Sequence, residues 1–509
     1  MSLFVIVVSP FIAGMVAWGL SRTTSGHGGA TAGRLVMAAG LLLPGILALS
    51  LWPAVSSAAG MPIADAARGA PSYAVEAAIP WIPQLGATIH LGADGLALLM
   101  VFLTVLLGLA ATVVSWKDDI QRPGFFLFNL GLILSGVLGV FLSVDLFLFF
   151  LFWELMLVPM YFLIAIWGSE KRRAAALKFF IFTQASGLVM LLAILAVYFV
   201  HGHATGTYTF DLPALINAPL SGAGATLAMI GFLVAFGVKL PVVPFHPWLP
   251  DAHTEAPTAG SILLAGLLLK TGAYGLIRFI RPLFPVPFSA ISPLLMTLAV
   301  VSIIYGAVLA YRQSDFKRLV AYTSISHMGF VLLGAASGTV IGFQGAIIAM
   351  LAHGFTTSAL FATAGFLKDR LHSRELSDMG GMKSVTPRLA GFGIVFWVFA
   401  LGFPGSANFM GEFLVLLGTF KTSIAFSAVA ASGLVLSVIY SLRAVRAAFH
   451  GPVQVDPQTP DLTFRETALV LVMAALVLWI GLFPGRFLRL TQPIAQTHHQ
   501  LVVQEGGNP

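Results

Sequence analysis

Apolar stretches of about twenty residues, separated by short polar segments, run through the whole 509-residue chain. About twenty apolar residues wound as an α-helix are long enough to cross the hydrocarbon core of a bilayer. The pattern therefore predicts an all-α polytopic membrane protein with fourteen transmembrane helices. The predicted spans are residues 3–20, 33–52, 90–115, 124–142, 145–167, 175–200, 224–249, 257–280, 286–311, 316–336, 339–367, 389–420, 423–446 and 466–484.

Two of these spans contain residues that interrupt a helix. In the seventh span, four prolines fall within Pro241–Pro250, and each removes a backbone donor and clashes with the preceding turn. Pro241 deprives the carbonyl of Gly237, next to Lys239, of its helical donor. The twelfth span contains Gly402–Asn408, and Asn408 is predicted to cap the half-helix that carries Glu412. Because irregular backbone at membrane depth is tolerated only inside protein or along a cavity, the break in the seventh span is predicted to face inward.

Four charged residues lie inside apolar spans: Glu154, Lys239, Lys270 and Glu412. Each charge at a helix centre opposes insertion by roughly 3 kcal/mol, so a purely structural span would lose it. The alternative for Glu154 is a strut between helices, and the alternative for Lys270 is a side chain that reaches the interface. Charges in these positions favour a protein that moves ions or protons.

The order of the spans predicts two repeats inside a single membrane domain, residues 1–509. Helices 1–3 occupy residues 1–115, repeat one occupies 124–280 and repeat two occupies 286–446, while 466–509 forms helix 14 and a C-terminal tail. Each repeat has five helices with the fourth one broken. Because five is odd, the second repeat must be inverted relative to the first, as in many transporters.

Composition excludes several classes of function. The chain is 58% hydrophobic and 9% charged with a mean hydropathy of +0.94, which leaves no soluble domain. It has no cysteine, and it has no motif for a nucleotide, haem or zinc, so we expect no cofactor in this chain. The pI near 9.7 is better explained by membrane topology, which concentrates basic residues in the loops on one side, than by nucleic-acid binding.

The distribution of the 27 basic residues predicts orientation. Nineteen lie on the side opposite the termini and six on the termini's side, while Lys239 and Lys270 lie in the membrane. By the positive-inside rule the richer side is cytoplasmic, so both termini are expected on the outer, periplasmic side.

His327 and His353 are weaker candidates, because a lone helical histidine is often only a satisfied hydrogen-bonding group. Hydroxyl residues stand on the same helical faces, at Thr323 and Ser324 before His327 and at Thr356 and Thr357 after His353. A proton relay and a structural role therefore both remain open for the two histidines.

Four segments carry a family resemblance over essentially the whole chain: SVDLFLFFLFWELMLVPMYFLIAIWG, KLPVVPFHPWLPDAHTEAPTAGSILLAGLLLKTGAYGLIR, RQSDFKRLVAYTSISHMGFVLLG and GFPGSANFMGEF. They resemble the antiporter-like membrane subunits of respiratory complex I. Three features favour the M type, the counterpart of mitochondrial subunit 4. Glu412 stands where the L and N types usually carry lysine, the chain ends soon after helix 14, and the WELMLVPMYFLIAIWG segment fits that type.

The resemblance implies a proton-translocating subunit of NADH:quinone oxidoreductase in the inner membrane of a bacterium. Its partners would be L-type and N-type neighbours and the lipid bilayer, with no nucleic acid, and the partner subunits would hold NADH, FMN, iron–sulfur clusters and quinone. Glu154 would pair with Lys239. The proton path, called the polar axis below, would comprise Glu154, Lys239, Lys270, His327, His353 and Glu412.

Two other functions remain as alternatives. One is a D-type subunit of a multi-subunit Na⁺/H⁺ antiporter, against which Glu412 argues. The other is a passive spacer between pumping neighbours, for which removal of the buried charges would leave transport intact.

Overall fold

A computed structural model of the protein describes residues 1–23, 27–59, 73–116, 120–217 and 222–504. Two of the basic residues used to predict orientation, Arg68 and Lys117, lie outside these ranges, as do residues 505–509 of the predicted tail. Almost all described elements are helices. They are α1 Ser2–Thr23, α2 His27–Ala58, α3 Gly95–Val114, α4 Pro123–Leu142, α5 Leu146–Leu155, α6 Leu157–Trp167, α7 Arg172–Thr205, α8 Leu212–Asn217, α9 Gly222–Lys239, α10 Trp248–Glu255, α11 Thr258–Leu263, α12 Leu269–Gly275, α13 Arg281–Leu283, α14 Pro285–Arg312, α15 Phe316–Ala336, α16 Val340–Leu371, α17 Met382–Val385, α18 Pro387–Ala400, α19 Ala407–Thr422, α20 Ile424–Phe449, α21 Phe464–Leu482 and α22 Gly485–Gln504.

The predicted polytopic helical fold is confirmed. Thirteen helical segments among the described residues are long and apolar enough to cross a membrane. The remaining predicted span, the twelfth, is divided into α18 and α19 by its break. The division into two inverted repeats stays a prediction.

The seventh span is broken as predicted, although backbone groups around the break have hydrogen-bond partners. The helix ends at Lys239, and α10 begins at Trp248. The carbonyl of Gly237 does not remain free, because Val242 N donates to it at 2.9 Å. Val243 N donates to Ser302 Oγ of α14, and the Trp248 indole donates to the Val238 carbonyl. The break is therefore a fixed structure held by its own turn and by the ninth span.

The twelfth span is also broken, but Asn408 is not its cap as predicted. Ser406 occupies the N-cap of α19, and its hydroxyl accepts from Phe409 N. Asn408 lies inside the first turn, where its side chain is free to contact α16.

The eighth span contains a feature that the sequence did not reveal. Between Thr258 and Leu283 it stays helical, but Leu264–Leu268 and Leu276–Ile280 are wound as π-helix. A π turn frees a carbonyl from its usual α-helical donor, and such turns are frequent at functional sites. Lys270 lies just after the first of them.

A β-hairpin, which was not predicted from the sequence, precedes the third span. Strands β1 Val75–Ile82 and β2 Ala87–Ala93 pair antiparallel, so α3 begins at Gly95 and not near residue 90 as predicted. Asp145 fastens the hairpin to the bundle by accepting from Thr88 N and Oγ1, while its other oxygen caps α5.

The C-terminal tail forms α22, an amphipathic helix whose apolar side lies against the bundle. Phe487, Leu490 and Ala495 are buried, and Gln344 of α16 donates to the carbonyl of Leu488. Helix α16 itself is almost completely buried from Gly342 to Leu367. It forms the centre of the molecule and carries His353.

Candidate functional site

Lys239 and Glu154 lie near each other but do not touch. Lys239 ends α9 with only 1% of its surface exposed, whereas Glu154 on α5 is partly buried. The two groups are close enough to interact electrostatically. Lys239 Nζ and Glu154 Oε1 nevertheless have no hydrogen-bond partner among the described residues. The Glu154–Lys239 pair that the family resemblance implied is therefore not joined by a hydrogen bond in this structure, and it is called the open pair below.

The ammonium of Lys239 faces an aromatic ring instead. Nζ lies 4.9 Å from the centroid of Trp153, the residue directly before Glu154. Phe149 and Phe236 pack against the same indole ring at 5.7 and 5.6 Å. The lysine thus occupies an aromatic pocket between α5 and α9.

Lys270 is completely buried and is held by two acceptors. Its Nζ donates to the Ala265 carbonyl at 2.6 Å, inside the π turn, and lies 2.5 Å from His353 Nδ1. The carbonyl five residues back is within reach because the π turn widens the helix. The contact with His353 joins the eighth span to the central helix α16.

His327 and Glu412 form the next contact along the axis. His327 Nδ1 lies 2.8 Å from Glu412 Oε1, and both side chains are buried. Tyr440 OH lies 3.3 Å from His327 Nε2. A carboxylate can only accept and a phenol can donate, so these partners assign the proton of a neutral His327 to Nδ1.

The two histidines bring the Lys270–His353 contact close to the His327–Glu412 contact. Their ring centroids are 6.0 Å apart. Lys270, His353, His327 and Glu412 therefore form an almost continuous row of polar groups, called the Lys270–Glu412 row below. A proton can be passed between hydrogen-bonded or water-linked groups of this kind.

Most hydroxyl and amide groups described near this row are already hydrogen-bonded to other groups of the protein. Thr323 and Ser324 donate to the Val320 carbonyl, so their hydroxyls stabilise their own helix. Thr356 Oγ1 donates to Asn408 Oδ1 at 2.7 Å. This contact ties the broken twelfth span to α16 one turn from His353.

The histidines beside the first break occupy different environments. His253 is fully buried, with its ring stacked on Phe361 at 4.6 Å, and neither nitrogen has a hydrogen-bond partner among the described residues. His246 contacts the ring of Tyr305 at 5.2 Å. Within the described ranges, neither imidazole ring is hydrogen-bonded to a member of the polar axis.

Charged groups near the helix ends have anchoring contacts. Asp94 caps α3 and holds Arg278 through two 2.7 Å hydrogen bonds. Asp251 of α10 contacts Lys178 at 2.7 Å and Arg318 at 3.2 Å. Helix α10 is thereby fixed to α7 and to α15. Across the described part of the chain, no group of three or more His, Asp or Glu residues is arranged to hold a metal ion.

Comparison with known proteins indicates one family. Residues 143–439 match the family described as NADH:quinone oxidoreductase/Mrp antiporter, TM. NADH-quinone oxidoreductase subunit M of Pseudomonas aeruginosa is 48% identical over 94% of both chains. The Escherichia coli K12 protein of that name is 45% identical over 98% of this chain and 96% of its own length. A chain of respiratory complex I from Thermus thermophilus superposes with a TM-score of 0.85 at 30% identity, covering 99% of this chain and 100% of that one.

Proposed function

This chain belongs to the NADH:quinone oxidoreductase/Mrp antiporter family of transmembrane subunits, and from that premise we propose that it moves protons outward across the membrane. The Lys270–Glu412 row carries the proposal, because its four ionisable groups are expensive to bury between helices and form two contacts whose histidine rings lie 6.0 Å apart. Glu154 and Lys239 supply the first two members of the axis. The chain itself performs no redox step.

Energy would come from quinone reduction in partner subunits. NADH, FMN, iron–sulfur clusters and quinone belong there, and the direct neighbours would be L-type and N-type antiporter-like subunits. Movement of Lys239 toward Glu154 and away again would change how tightly the lysine holds its proton. Carrying one charge outward costs about 2.3 kcal/mol per 100 mV, which is within reach of such a change.

The relatives favour this function over the alternatives. The Pseudomonas aeruginosa and Escherichia coli relatives, which cover nearly the whole chain, are named as oxidoreductase subunits, and neither is named as a Na⁺/H⁺ antiporter subunit. A passive spacer would not require Lys270 to be buried against His353. Purification with NADH- and quinone-binding partners would support the oxidoreductase, whereas purification with antiporter subunits alone would contradict it.

The experiment that tests the function is Lys239→Ala in the complete complex, reconstituted in vesicles. We expect normal assembly, loss of most proton translocation per NADH and loss of much quinone reductase activity. Lys421→Ala is the matched control, because Lys421 is an exposed lysine at the end of α19. Full pumping by the Lys239→Ala complex would exclude the proposed role.

A further inference from the structure

Trp153 lies next to both members of the open pair, Glu154 and Lys239. It directly precedes Glu154 on α5, and its side chain is completely buried. The carboxylate of Glu154 and the indole of Trp153 therefore project from adjacent positions of one helix. Lys239, at the end of α9, faces the indole ring and is close enough to Glu154 to interact with it electrostatically.

The ring face is the stabilising group that Lys239 contacts here. A buried ammonium without an acceptor is costly, and among the described residues Lys239 Nζ has no hydrogen-bond partner. An indole is the aromatic ring that attracts cations most strongly, and the 4.9 Å separation lies within the range of that attraction. Phe149 and Phe236 hold the ring in this orientation.

A glycine on α7 leaves room for the carboxylate on the other side. A Cβ at Gly187 would lie 2.1 Å from Glu154 Oε1 and 3.7 Å from Trp153 Nε1. The carboxylate thus points into a notch that only glycine leaves open. Its Oε1 has no partner among the described residues, so it is available to accept a lysine N–H.

We propose that the face of Trp153 is a second resting position for the Lys239 ammonium, and that Trp153 is a positioning residue for proton transfer. This inference rests on the proposed function. Against Glu154, the ammonium is bound through its N–H groups. Over the indole, its charge is stabilised while the N–H groups stay free to donate a proton onward. After the proton leaves, the neutral amine has little attraction for either position.

The test replaces Trp153 with fluorinated tryptophans in the complete complex. Fluorine keeps the shape of the ring but removes negative charge from its face, so a merely structural role would be unaffected. We expect proton translocation to slow stepwise with each added fluorine, by about two- to tenfold for the most fluorinated ring. Trp397 is the matched control, because it is equally buried and its indole nitrogen is also unpartnered among the described residues.

A pair of ordinary substitutions adds an independent readout. Trp153→Phe keeps a weaker aromatic face and should retain part of the pumping, whereas Trp153→Leu keeps apolar volume without that face and should retain less. If Trp153→Leu fails to assemble, the fluorinated series still decides. Equal pumping across that series would overturn the inference while leaving the proposed function intact, provided that Lys239→Ala abolishes pumping. Full pumping by Lys239→Ala would overturn both.

Discussion

At Glu412 the two carboxylate oxygens have different environments. Oε1 contacts His327, whereas Oε2 is buried without a hydrogen-bond partner among the described residues. A Cβ at Gly402, in the break, would lie 3.1 Å from Oε2. One oxygen is therefore committed to the axis, and the other faces the irregular backbone of the twelfth span.

We expect Glu412→Gln to slow proton translocation per NADH about tenfold or more. Glutamine keeps the shape and can still accept from His327 Nδ1, but it cannot take up a proton. We also expect Glu412→Lys to retain partial activity, because the family resemblance implies that the L and N types work with a lysine at this position. The measurement is proton translocation in reconstituted vesicles, with Glu154→Gln in parallel. If Glu412→Gln pumped like the parent while Glu154→Gln did not, Glu412 would be a structural acid.

The charged members of the axis could be predicted from the sequence, but most of their partners could not. Glu154, Lys239, Lys270 and Glu412 stand out because a charge is conspicuous among apolar residues. Trp153 and Tyr440 carry no such signal, since aromatic residues are common in membrane helices. Tyr440 meets His327 across 113 positions of sequence, a contact that only the tertiary fold decides.

At the scale of elements, the hairpin is joined to the bundle by a histidine. His90 Nδ1 of β2 lies 2.6 Å from Asp211 Oδ1, and its Nε2 lies 3.9 Å from Glu76. The hydrogen bond to Asp211 raises the pKa of His90 above its ordinary value of 6.5. A raised pKa means that the folded hairpin holds this proton more tightly than the unfolded chain does.

The contact should therefore stabilise the hairpin at low pH. Its contribution of about 1 kcal/mol is complete below about pH 6.5 and disappears as the pH rises through the pKa of the folded state. We expect the protection factors of the amides in residues 75–93, which are corrected for the intrinsic pH dependence of exchange, to fall over that rise. His90→Gln should abolish the pH dependence, and Gln84→Ala in the exposed turn should not. Unchanged pH dependence in the His90→Gln protein would refute the assignment.

The elements themselves differ in how readily they follow from sequence. Both breaks were predictable, because Pro241–Pro250 and Gly402–Asn408 contain residues that cannot continue a helix. The side chain that caps α19 could not be predicted, since Ser406 and Asn408 are equally good capping residues by type. The hairpin was hidden because only Asp94 separates β2 from α3, and the π turns leave no trace in an apolar sequence.

For the whole molecule, the family indicated by the motifs is confirmed, while orientation remains to be measured. The chain has no cysteine, so a single introduced cysteine is an unambiguous label. Gln84→Cys, in the exposed hairpin turn between the second and third spans, should react from the outside. Lys383→Cys, exposed between the eleventh and twelfth spans, should react only after the membrane is opened. Labelling of both from one side would show that the span count is wrong by one.

The separation between Lys239 and Lys270 has a consequence for a membrane that stores energy. Their helices touch, since a Cβ at Gly272 would lie 3.0 Å from Lys239 Cβ. Lys239 Nζ nevertheless has no hydrogen-bond partner among the described residues, whereas Lys270 Nζ is bound to the Ala265 carbonyl and His353. A proton path that conducted at all times would let the membrane potential drive protons back across the membrane and would dissipate the stored energy. In the proposed mechanism, the missing link between these two lysines would keep the resting protein from conducting protons, and protons would pass only when the coupled reaction completes the path.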